Sequence, residues 1–263
     1  MEKYAKKTWV ISSNMIETDI CKIVVKNPHP DVNIKAGQFF GIMPADRSEK
    51  LLRRPISVCE SNEDEIVFLI KIMGSGTDEI SKLQAGDRLD IMGPLGNGFD
   101  VQPEKKALVI GGGIGTAPLV QLLAELESSG QTNIRTLLGY KERPYALDIF
   151  EKYTDNMVVA SETRAVPHKG YVTEFMLEAL KTGLYEMVYA CGPESMLACI
   201  QAVCNDLEIP VQLSIEERMA CGIGACLVCT CKVKASDDDE GFNNVRTCKE
   251  GPVFYGDEVI LHD

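Results

Sequence analysis

The sequence has no excess of positive charge and no long uninterrupted apolar segment. Its 263 residues include 27 Lys and Arg against 39 Asp and Glu, which gives a formal net charge of −12. Because a chain this acidic lacks the cations that neutralise phosphate backbones, a nucleic-acid-binding role is disfavoured. The composition, 45% hydrophobic and 25% charged, excludes a disordered, collagen-like or coiled-coil protein.

Signals for export and membrane insertion are also missing from the sequence. The first residues, Met1–Lys7, are polar and lead into no apolar stretch of the kind that a secretory signal needs. The longest weakly charged stretch, Ala107–Ala124, is interrupted by glycines and Pro118, which favours a strand, a turn and a helix over one membrane span. We therefore expect a cytoplasmic protein in a reducing compartment.

Cysteine, in contrast, is abundant and unevenly placed. Of the 10 cysteines, half lie at or after Cys221, and four fall between Cys221 and Cys231. Such crowding favours a metal centre over disulfides spread along the chain. Four others are expected to be small core residues, namely Cys21, Cys59, Cys199 and Cys204.

Three segments differ in pattern, and together they predict a multidomain β and α/β fold. Residues 1–101 carry short apolar runs separated by turns, which predicts an antiparallel barrel with one short helix at 78–83 and a closing turn at 93–98. Residues 102–213 alternate strands with helices, which indicates a doubly wound parallel sheet. Residues 214–263 form a small cysteine-rich domain that ends in a strand-like run, Val253–Leu261.

The cysteine-rich segment has the spacing C-x4-C-x2-C followed by a distant cysteine, which is typical of plant-type [2Fe–2S] centres. Gly222 and Gly224 let such a loop curl and turn backbone N–H groups toward the sulfurs. The predicted ligands are Cys221, Cys226, Cys229 and Cys248.

Alternatives to this ligand set stay open. Cys231 is expected to be a bystander, although its position after Cys229 would let it replace a ligand. Four cysteines also suit a tetrahedral zinc site, and simple buried thiols are a further alternative. The acidic run Asp237–Glu240 is interpreted as a solvated hairpin tip.

Two glycine-containing motifs follow predicted strands. Gly111–Pro118 leads from a strand into a helix, where glycines let a pyrophosphate approach backbone N–H groups at the positive helix end. Pro118 replaces the third glycine of the usual dinucleotide fingerprint, so a tight turn without a ligand remains an alternative. Cys191-Gly192-Pro193 also follows a strand, at the edge where doubly wound sheets place ligands, and a simple turn explains it equally well.

A third motif, Arg54-Pro55-Ile56-Ser57, lies between predicted strands of the barrel. Arg54 is suited to pair with a phosphate, and Ser57 to hydrogen-bond the edge of a flavin ring. Followed by Gly76-Thr77, Gly93–Gly96 and the two glycine motifs, this order resembles the ferredoxin–NADP reductase superfamily, in which an FAD-binding barrel precedes a nicotinamide-binding domain. With its cysteine-rich extension, the whole chain is similar to the electron-transfer subunits of type B dihydroorotate dehydrogenases.

The resemblance implies a cofactor role for each motif and no catalytic acid or base, because the chemistry belongs to the cofactors. It also implies an FAD-binding domain at 1–101, an NAD-binding domain at 102–213 and a cluster domain at 214–263. FAD would be held by Arg54, Pro55, Ile56, Ser57, Lys71, Ile72, Met73, Gly76 and Thr77. NAD would be held by Gly111, Gly112, Gly113, Gly115, Thr116, Cys191, Gly192 and Pro193.

The resemblance further implies an oxidoreductase subunit that relays electrons between NAD and a separate FMN-containing catalytic subunit, through FAD and the [2Fe–2S] cluster, in pyrimidine (UMP) biosynthesis. The expected assembly is a heterotetramer with two chains of each kind. One alternative is the small flavin and iron–sulfur subunit of an NADH-dependent ferredoxin:NADP oxidoreductase or a sulfide dehydrogenase. A zinc-stabilised interaction protein is a non-enzymatic alternative.

The choice between NAD and NADP depends on residues after the strand at 157–160. Glu162 there favours a free ribose 2′-hydroxyl and hence NAD, whereas Arg164 would accommodate a 2′-phosphate. The resemblance favours NAD.

Overall fold

The computed structural model describes residues 5–44, 51–131, 133–163, 166–235 and 241–261. Arg164 and the acidic run Asp237–Glu240 lie outside the described residues. In the described part of the chain, no helix is both long and apolar enough to span a membrane.

The helices and strands follow one another along the chain as β-rich and then alternating segments. The strands are β1 (Ala5–Glu17), β2 (Ile20–Lys26), β3 (Phe39–Met43), β4 (Arg54–Ser57), β5 (Glu60–Ser61), β6 (Glu65–Lys71), β7 (Arg88–Leu95), β8 (Ala107–Gly112), β9 (Ile134–Tyr140), β10 (Met157–Ser161), β11 (His168–Lys169), β12 (Met187–Cys191), β13 (Val211–Ser214), β14 (Thr230–Lys234), β15 (Phe242–Arg246), β16 (Val253–Tyr255) and β17 (Val259–Ile260). The α-helices are α1 (Ser75–Ser81), α2 (Ala117–Ser128), α3 (Leu147–Phe150), α4 (Val172–Lys181) and α5 (Glu194–Asp206).

The first sheet is antiparallel and has the order β4-β3-β7-β1-β2-β6-β5. Its inward side chains form one core, to which β1, β2, β3, β6 and β7 all contribute. Phe40 of β3 and Phe68 of β6 are not on neighbouring strands, yet their ring centroids are 5.8 Å apart. The sheet therefore curls around a shared interior, which confirms the predicted antiparallel barrel.

The second sheet has the order β11-β10-β9-β8-β12-β13-β16 and is parallel as far as β13. Along β8, Ala107 and Val109 pack in a core with α2 and α3, whereas Leu108 and Ile110 pack in a core with α4 and α5. A strand covered on both faces needs an unbroken apolar run, which explains the sequence at this position. The predicted doubly wound sheet is confirmed.

The carboxyl-terminal segment is divided between two sheets, so the prediction of one strand over Val253–Leu261 is wrong. β16 pairs antiparallel with β13 and completes the second sheet, whereas β17 pairs with β14 in the third sheet, β15-β14-β17. The chain turns between them because Gln201 of α5 donates hydrogen bonds to the carbonyl oxygens of Gly256 and Val259, at 2.6 and 2.8 Å.

Two local predictions in the barrel segment also need correction. α1 starts at Ser75 rather than at residue 78, because the Thr77 hydroxyl accepts hydrogen bonds from the N–H groups of Met73 and Gly74 and fixes the first turn earlier. Gly93, Pro94 and Leu95 continue β7 instead of forming the closing turn, because Leu95 still pairs with Phe39 of β3.

Three of the four cysteines predicted to be core residues are buried, namely Cys21, Cys59 and Cys204. Cys199 is exposed, so that prediction is wrong. The buried face of α5 carries Leu197, Ile200 and Cys204, and position 199 falls outside this helical spacing.

Hydrogen bonds fix the barrel against the second sheet and its helices. Gln121 of α2 accepts from the N–H of Ser61 at 2.7 Å, and Glu125 of the same helix accepts from the N–H of Ala36 at 2.7 Å. Gln212 of β13 accepts from the N–H of Asp100 at 2.8 Å. These contacts set the relative position of the two candidate cofactor regions.

Candidate cofactor and iron–sulfur sites

The structure brings Arg54 and Gly76, both predicted to hold a flavin, into direct contact. Arg54 begins β4, and its guanidinium lies over Gly76 so closely that a Cβ atom at position 76 would overlap it. The guanidinium also donates a hydrogen bond to the Leu52 carbonyl oxygen. Glycine at position 76 therefore lets the Arg54 side chain lie across the first turn of α1.

The other predicted flavin residues lie on β4 and on the connection from β6 to α1. Ser57 pairs with Phe39 across the β3–β4 ladder, which places Pro55 and Ile56 on the same strand as Arg54. The Thr77 hydroxyl accepts hydrogen bonds from the backbone N–H groups of Met73 and Gly74, which lie on this connection. Lys71, predicted from position alone, places its ammonium 4.0 Å from the Asp19 carboxylate, and Ile72 donates its N–H to the Asp19 carbonyl at 2.8 Å. Met73 is 78% exposed.

The two predicted nucleotide-binding loops meet at the carboxyl ends of neighbouring parallel strands. Cys191 at the end of β12 pairs with Gly111 near the end of β8. A Cβ atom at Gly115 would lie 2.6 Å from the Gly192 Cα, so glycine is required there for the two backbones to approach. Gly112 likewise lies against Pro193 and Met196. This edge is where doubly wound sheets bind dinucleotides.

The glycine loop itself is shaped by a short helical turn. Gly111 and Gly112 belong to β8, and Gly113–Thr116 form one 3-10 turn before α2. The Thr116 hydroxyl donates to the Gly113 carbonyl at 2.9 Å, which holds the turn closed. Pro118 lies in the first turn of α2, where its missing N–H leaves no hydrogen bond unmade.

Sequence reasoning missed Ser214 and Glu216 beside Cys191. Ser214 ends β13 and pairs with Cys191, and its side chain acts to lower the pKa of the Cys191 thiol. Burial raises the pKa of that thiol to about 12, with Glu216 adding to the increase. The available signal was the alternation of apolar and polar residues over Val211–Ser214, because a further parallel strand would bring its carboxyl end to the same edge.

The four predicted cluster ligands converge as two pairs. The thiol of Cys226 lies close enough to that of Cys221 to lower its pKa, and the thiol of Cys229 lies close enough to that of Cys248 to raise its pKa. Across the described residues, no group of three or more His, Cys, Asp or Glu side chains surrounds a single metal position. Two pairs of thiolates fit the two irons of a [2Fe–2S] cluster better than one tetrahedral zinc.

Backbone N–H groups face these sulfurs, as the glycine spacing predicted. Gly224 donates to the Cys248 sulfur at 3.1 Å, and Ala225 donates to the Cys221 sulfur at 3.3 Å. Burial alone raises the pKa of Cys221, but hydrogen bonds from Ile223, Cys226 and Ala225 together lower it to about 7. Such donors stabilise thiolates and the negative charge of a cluster that they bind.

Cys231 lies behind the pairs rather than among them. It is buried on β14 and packs in the core shared with Phe254 and Val259. Burial raises the pKa of its thiol. The interpretation of Cys231 as a bystander stays a prediction, with this packing in its favour.

The cysteine loop packs against the barrel beside the predicted flavin strand. Cys229 and Cys248 share a small apolar core with Phe39, Met92 and Leu95 of the barrel. A narrow cleft at this junction is lined by Arg53 and Pro55 on one side and by Met219–Gly222 on the other. The predicted flavin and cluster positions are therefore adjacent in space.

Comparison with known proteins agrees with this geometry. Residues 216–260 match the family described as the iron–sulfur cluster binding domain of dihydroorotate dehydrogenase B, and residues 109–202 match the oxidoreductase NAD-binding domain. The dihydroorotate dehydrogenase B (NAD(+)) electron transfer subunit of Clostridium acetobutylicum is 39% identical over 263 residues, which cover 100% of this chain and 99% of the relative. That of Caldanaerobacter subterraneus subsp. tengcongensis is 36% identical and covers 98% and 100%.

Solved structures show the same fold. An NADH-dependent reduced ferredoxin-NADP oxidoreductase superposes with a TM-score of 0.81 at 25% identity, over 97% of this chain and 90% of that one. Phthalate dioxygenase reductase superposes with a TM-score of 0.64 at 16% identity, over 94% and 95%. The fold, the paired cysteines and the full-length identity together show that the chain belongs to the family of dihydroorotate dehydrogenase B electron-transfer subunits.

Proposed function

We propose that this chain relays electrons between NAD and an FMN-containing dihydroorotate dehydrogenase catalytic subunit, through FAD and a [2Fe–2S] cluster, in pyrimidine (UMP) biosynthesis. The observation that carries the proposal is the packing of the Cys221–Gly222 segment against the strand that holds Arg54 and Pro55. A nicotinamide exchanges two electrons as hydride and a cluster exchanges one, so a flavin that does both belongs between them.

The chain's own residues bind and orient these groups. In the proposal, Arg54–Ser57, Lys71–Met73, Gly76 and Thr77 hold FAD, with the Arg54 guanidinium on its phosphate. Gly111–Gly113, Gly115 and Thr116 hold the NAD pyrophosphate, and Cys191–Pro193 approach the nicotinamide. Cys221, Cys226, Cys229 and Cys248 ligate the cluster. The corresponding domains are 1–101, 102–213 and 214–263, with β16 of the last segment added at the edge of the sheet of the second.

The surface around the cysteine loop is the proposed docking face for the catalytic subunit. Leu227 is 61% exposed and Val228 is 51% exposed, and Ile223 lies on the same loop. Exposed apolar side chains at this density mark an interaction site, and here they surround the exposed ligand Cys226. We propose a heterotetramer of two chains of each kind, acting in the cytoplasm, where the thiol ligands stay reduced.

A second candidate is the small flavin and iron–sulfur subunit of an NADH-dependent ferredoxin:NADP oxidoreductase. The TM-score of 0.81 to a structure of that class favours it. The 39% identity to a dihydroorotate dehydrogenase B subunit, against 25% to that structure, favours the first proposal.

The test is to purify the chain anaerobically with its natural partner, quantify flavin and iron, and assay dihydroorotate-dependent NAD reduction. Cys226→Ser should lose iron and this activity while keeping flavin, because the flavin residues lie on the barrel. Cys199→Ser, which also removes an exposed thiol, is the matched control and should keep both. A partner that lacks FMN or dihydroorotate activity would contradict the proposal and favour the second candidate.

A further inference from the structure

Arg246, at the end of β15, holds two groups at once. Its Nε donates to Glu250 Oε2 at 2.9 Å, and its Nη2 pairs with Glu250 Oε1. The remaining edge of the guanidinium donates from Nη1 to the Gly224 carbonyl at 3.1 Å. Only the planar fork of arginine can bind a carboxylate with two donors and still reach a carbonyl with a third.

Gly224 connects this contact to the cluster ligands. Its N–H is the group that donates to the Cys248 sulfur at 3.1 Å. Its φ of +81° lies in the left-handed region, so the backbone must be held in a conformation that glycine alone adopts readily. The contact from Arg246 to the carbonyl therefore fixes the residue that supplies the hydrogen bond to sulfur.

Glu250 is itself anchored, which makes the arrangement a clamp between the barrel and the cysteine loop. Its carboxylate also accepts from the Arg246 backbone N–H at 2.8 Å. Its carbonyl accepts from Asn97 Nδ2 at 2.8 Å, and Asn97 follows β7 of the barrel. Arg246, Glu250, Gly224 and Cys248 thus form a continuous path of hydrogen bonds.

We propose that Arg246 is a positioning residue of the iron–sulfur centre, which acts with Glu250 to keep the Gly224 N–H directed at the Cys248 thiolate. The inference rests on the proposed function, because it requires the cluster. One-electron reduction adds a negative charge to a cluster, and hydrogen bonds to its sulfurs and nearby positive charge favour the reduced form. The clamp therefore raises the reduction potential.

The experiment measures the midpoint potential and the electron paramagnetic resonance spectrum of the cluster in the full chain, purified anaerobically, with flavin content as the check of folding. Arg246→Met should lower the potential by about 59 mV, which is a tenfold change in the ratio of reduced to oxidised cluster for one electron. Arg246→Lys should lower it less, because the charge remains and the fork is lost. The matched control is Lys234→Met, which removes a charge from the exposed end of β14 in the same sheet and should leave the potential unchanged.

The Glu250→Gln variant distinguishes an effect of positioning on the midpoint potential from an effect of charge. It also provides a test if the Arg246→Met protein does not retain iron. Removing a carboxylate should raise the potential if charge alone matters, whereas loosening the clamp should lower it. A fall in Glu250→Gln supports the inference. A rise, or equal shifts in Arg246→Met and Lys234→Met, overturns it. A wild-type chain without a cluster signal would overturn the proposed function, whereas a wild-type signal that no variant shifts would overturn this inference alone.

Discussion

At the scale of single residues, the carboxylate of Glu125 links the barrel to α2 at an energetic cost. It accepts hydrogen bonds from the Ala36 N–H at 2.7 Å and from Gln121 Nε2 at 3.2 Å. Burial raises its pKa, although these hydrogen bonds partly offset the shift. Because the folded protein binds the proton more tightly than the unfolded chain, this group favours folding at low pH, and that contribution is lost as the pH rises through the raised pKa.

We therefore predict that Glu125→Gln flattens the dependence of the free energy of unfolding on pH, from the ordinary glutamate pKa of 4.5 up to the raised value. The side-chain oxygen of glutamine can still accept from Ala36. Urea denaturation over a series of pH values measures the effect. Glu127→Gln, on the exposed side of the same helix, should leave the profile unchanged, and identical profiles for wild type and Glu125→Gln would contradict the prediction.

Single residues were predictable where chemistry and spacing coincide. The four cysteines with iron–sulfur spacing lie in two neighbouring pairs, and Arg54 lies against Gly76, which belongs to another of the predicted flavin motifs. Arg246 and Glu250 have no such spacing signal, since an arginine and a glutamate four residues apart usually form an ordinary surface pair. Their role is visible only once the fold brings Gly224 beside them.

At the scale of elements, the two cysteines of α5 lie on different faces of the helix, and this determines how much a substitution at each position destabilises the protein. Cys204 is fully buried and burial raises its thiol pKa to about 12, whereas Cys199 is exposed. We predict that Cys204→Ser lowers the free energy of unfolding by about 1–3 kcal/mol, because it buries a hydroxyl in an apolar core. Cys199→Ser should change it by less than about 0.5 kcal/mol. Chemical denaturation of both variants measures the difference, and equal stabilities would show that the assigned face is wrong.

The elements that could be predicted are those with a strong local pattern. Buried runs such as Ala107–Ile110 and the apolar face of α2 have the expected type and position. The strands after Cys248 could not be assigned from pattern, because β16 and β17 are separated by only three residues and belong to different sheets. Tertiary hydrogen bonds from Gln201, remote in sequence, decide where the chain turns.

At the scale of the whole molecule, the C-terminal segment joins both other units. β16 pairs with β13 of the parallel sheet, and the Cys229–Cys248 pair packs on Phe39, Met92 and Leu95 of the barrel. The isolated bridge between Asn97 and Pro252 adds a further connection to the barrel. The candidate flavin and cluster positions are thus held in a fixed relation, which electron transfer between cofactors requires, while the outer side of the cysteine loop stays open to a partner.

That open side carries a residue whose conformation opposes folding. Leu227 has a φ of +60°, which is unfavourable for a leucine, and 61% of its surface is exposed. We predict that Leu227→Gly raises the free energy of unfolding by about 1 kcal/mol, because glycine adopts this conformation without a steric cost.

The same change should weaken binding of the catalytic subunit about tenfold, because it removes an apolar side chain from the proposed docking face. Denaturation of the isolated chain and titration with the partner measure the two effects, and Leu184→Gly, an exposed leucine away from the cysteine loop, should not weaken binding. Opposite signs for stability and binding would identify Leu227 as retained for docking, whereas weakened binding in neither variant would place the catalytic subunit on another face.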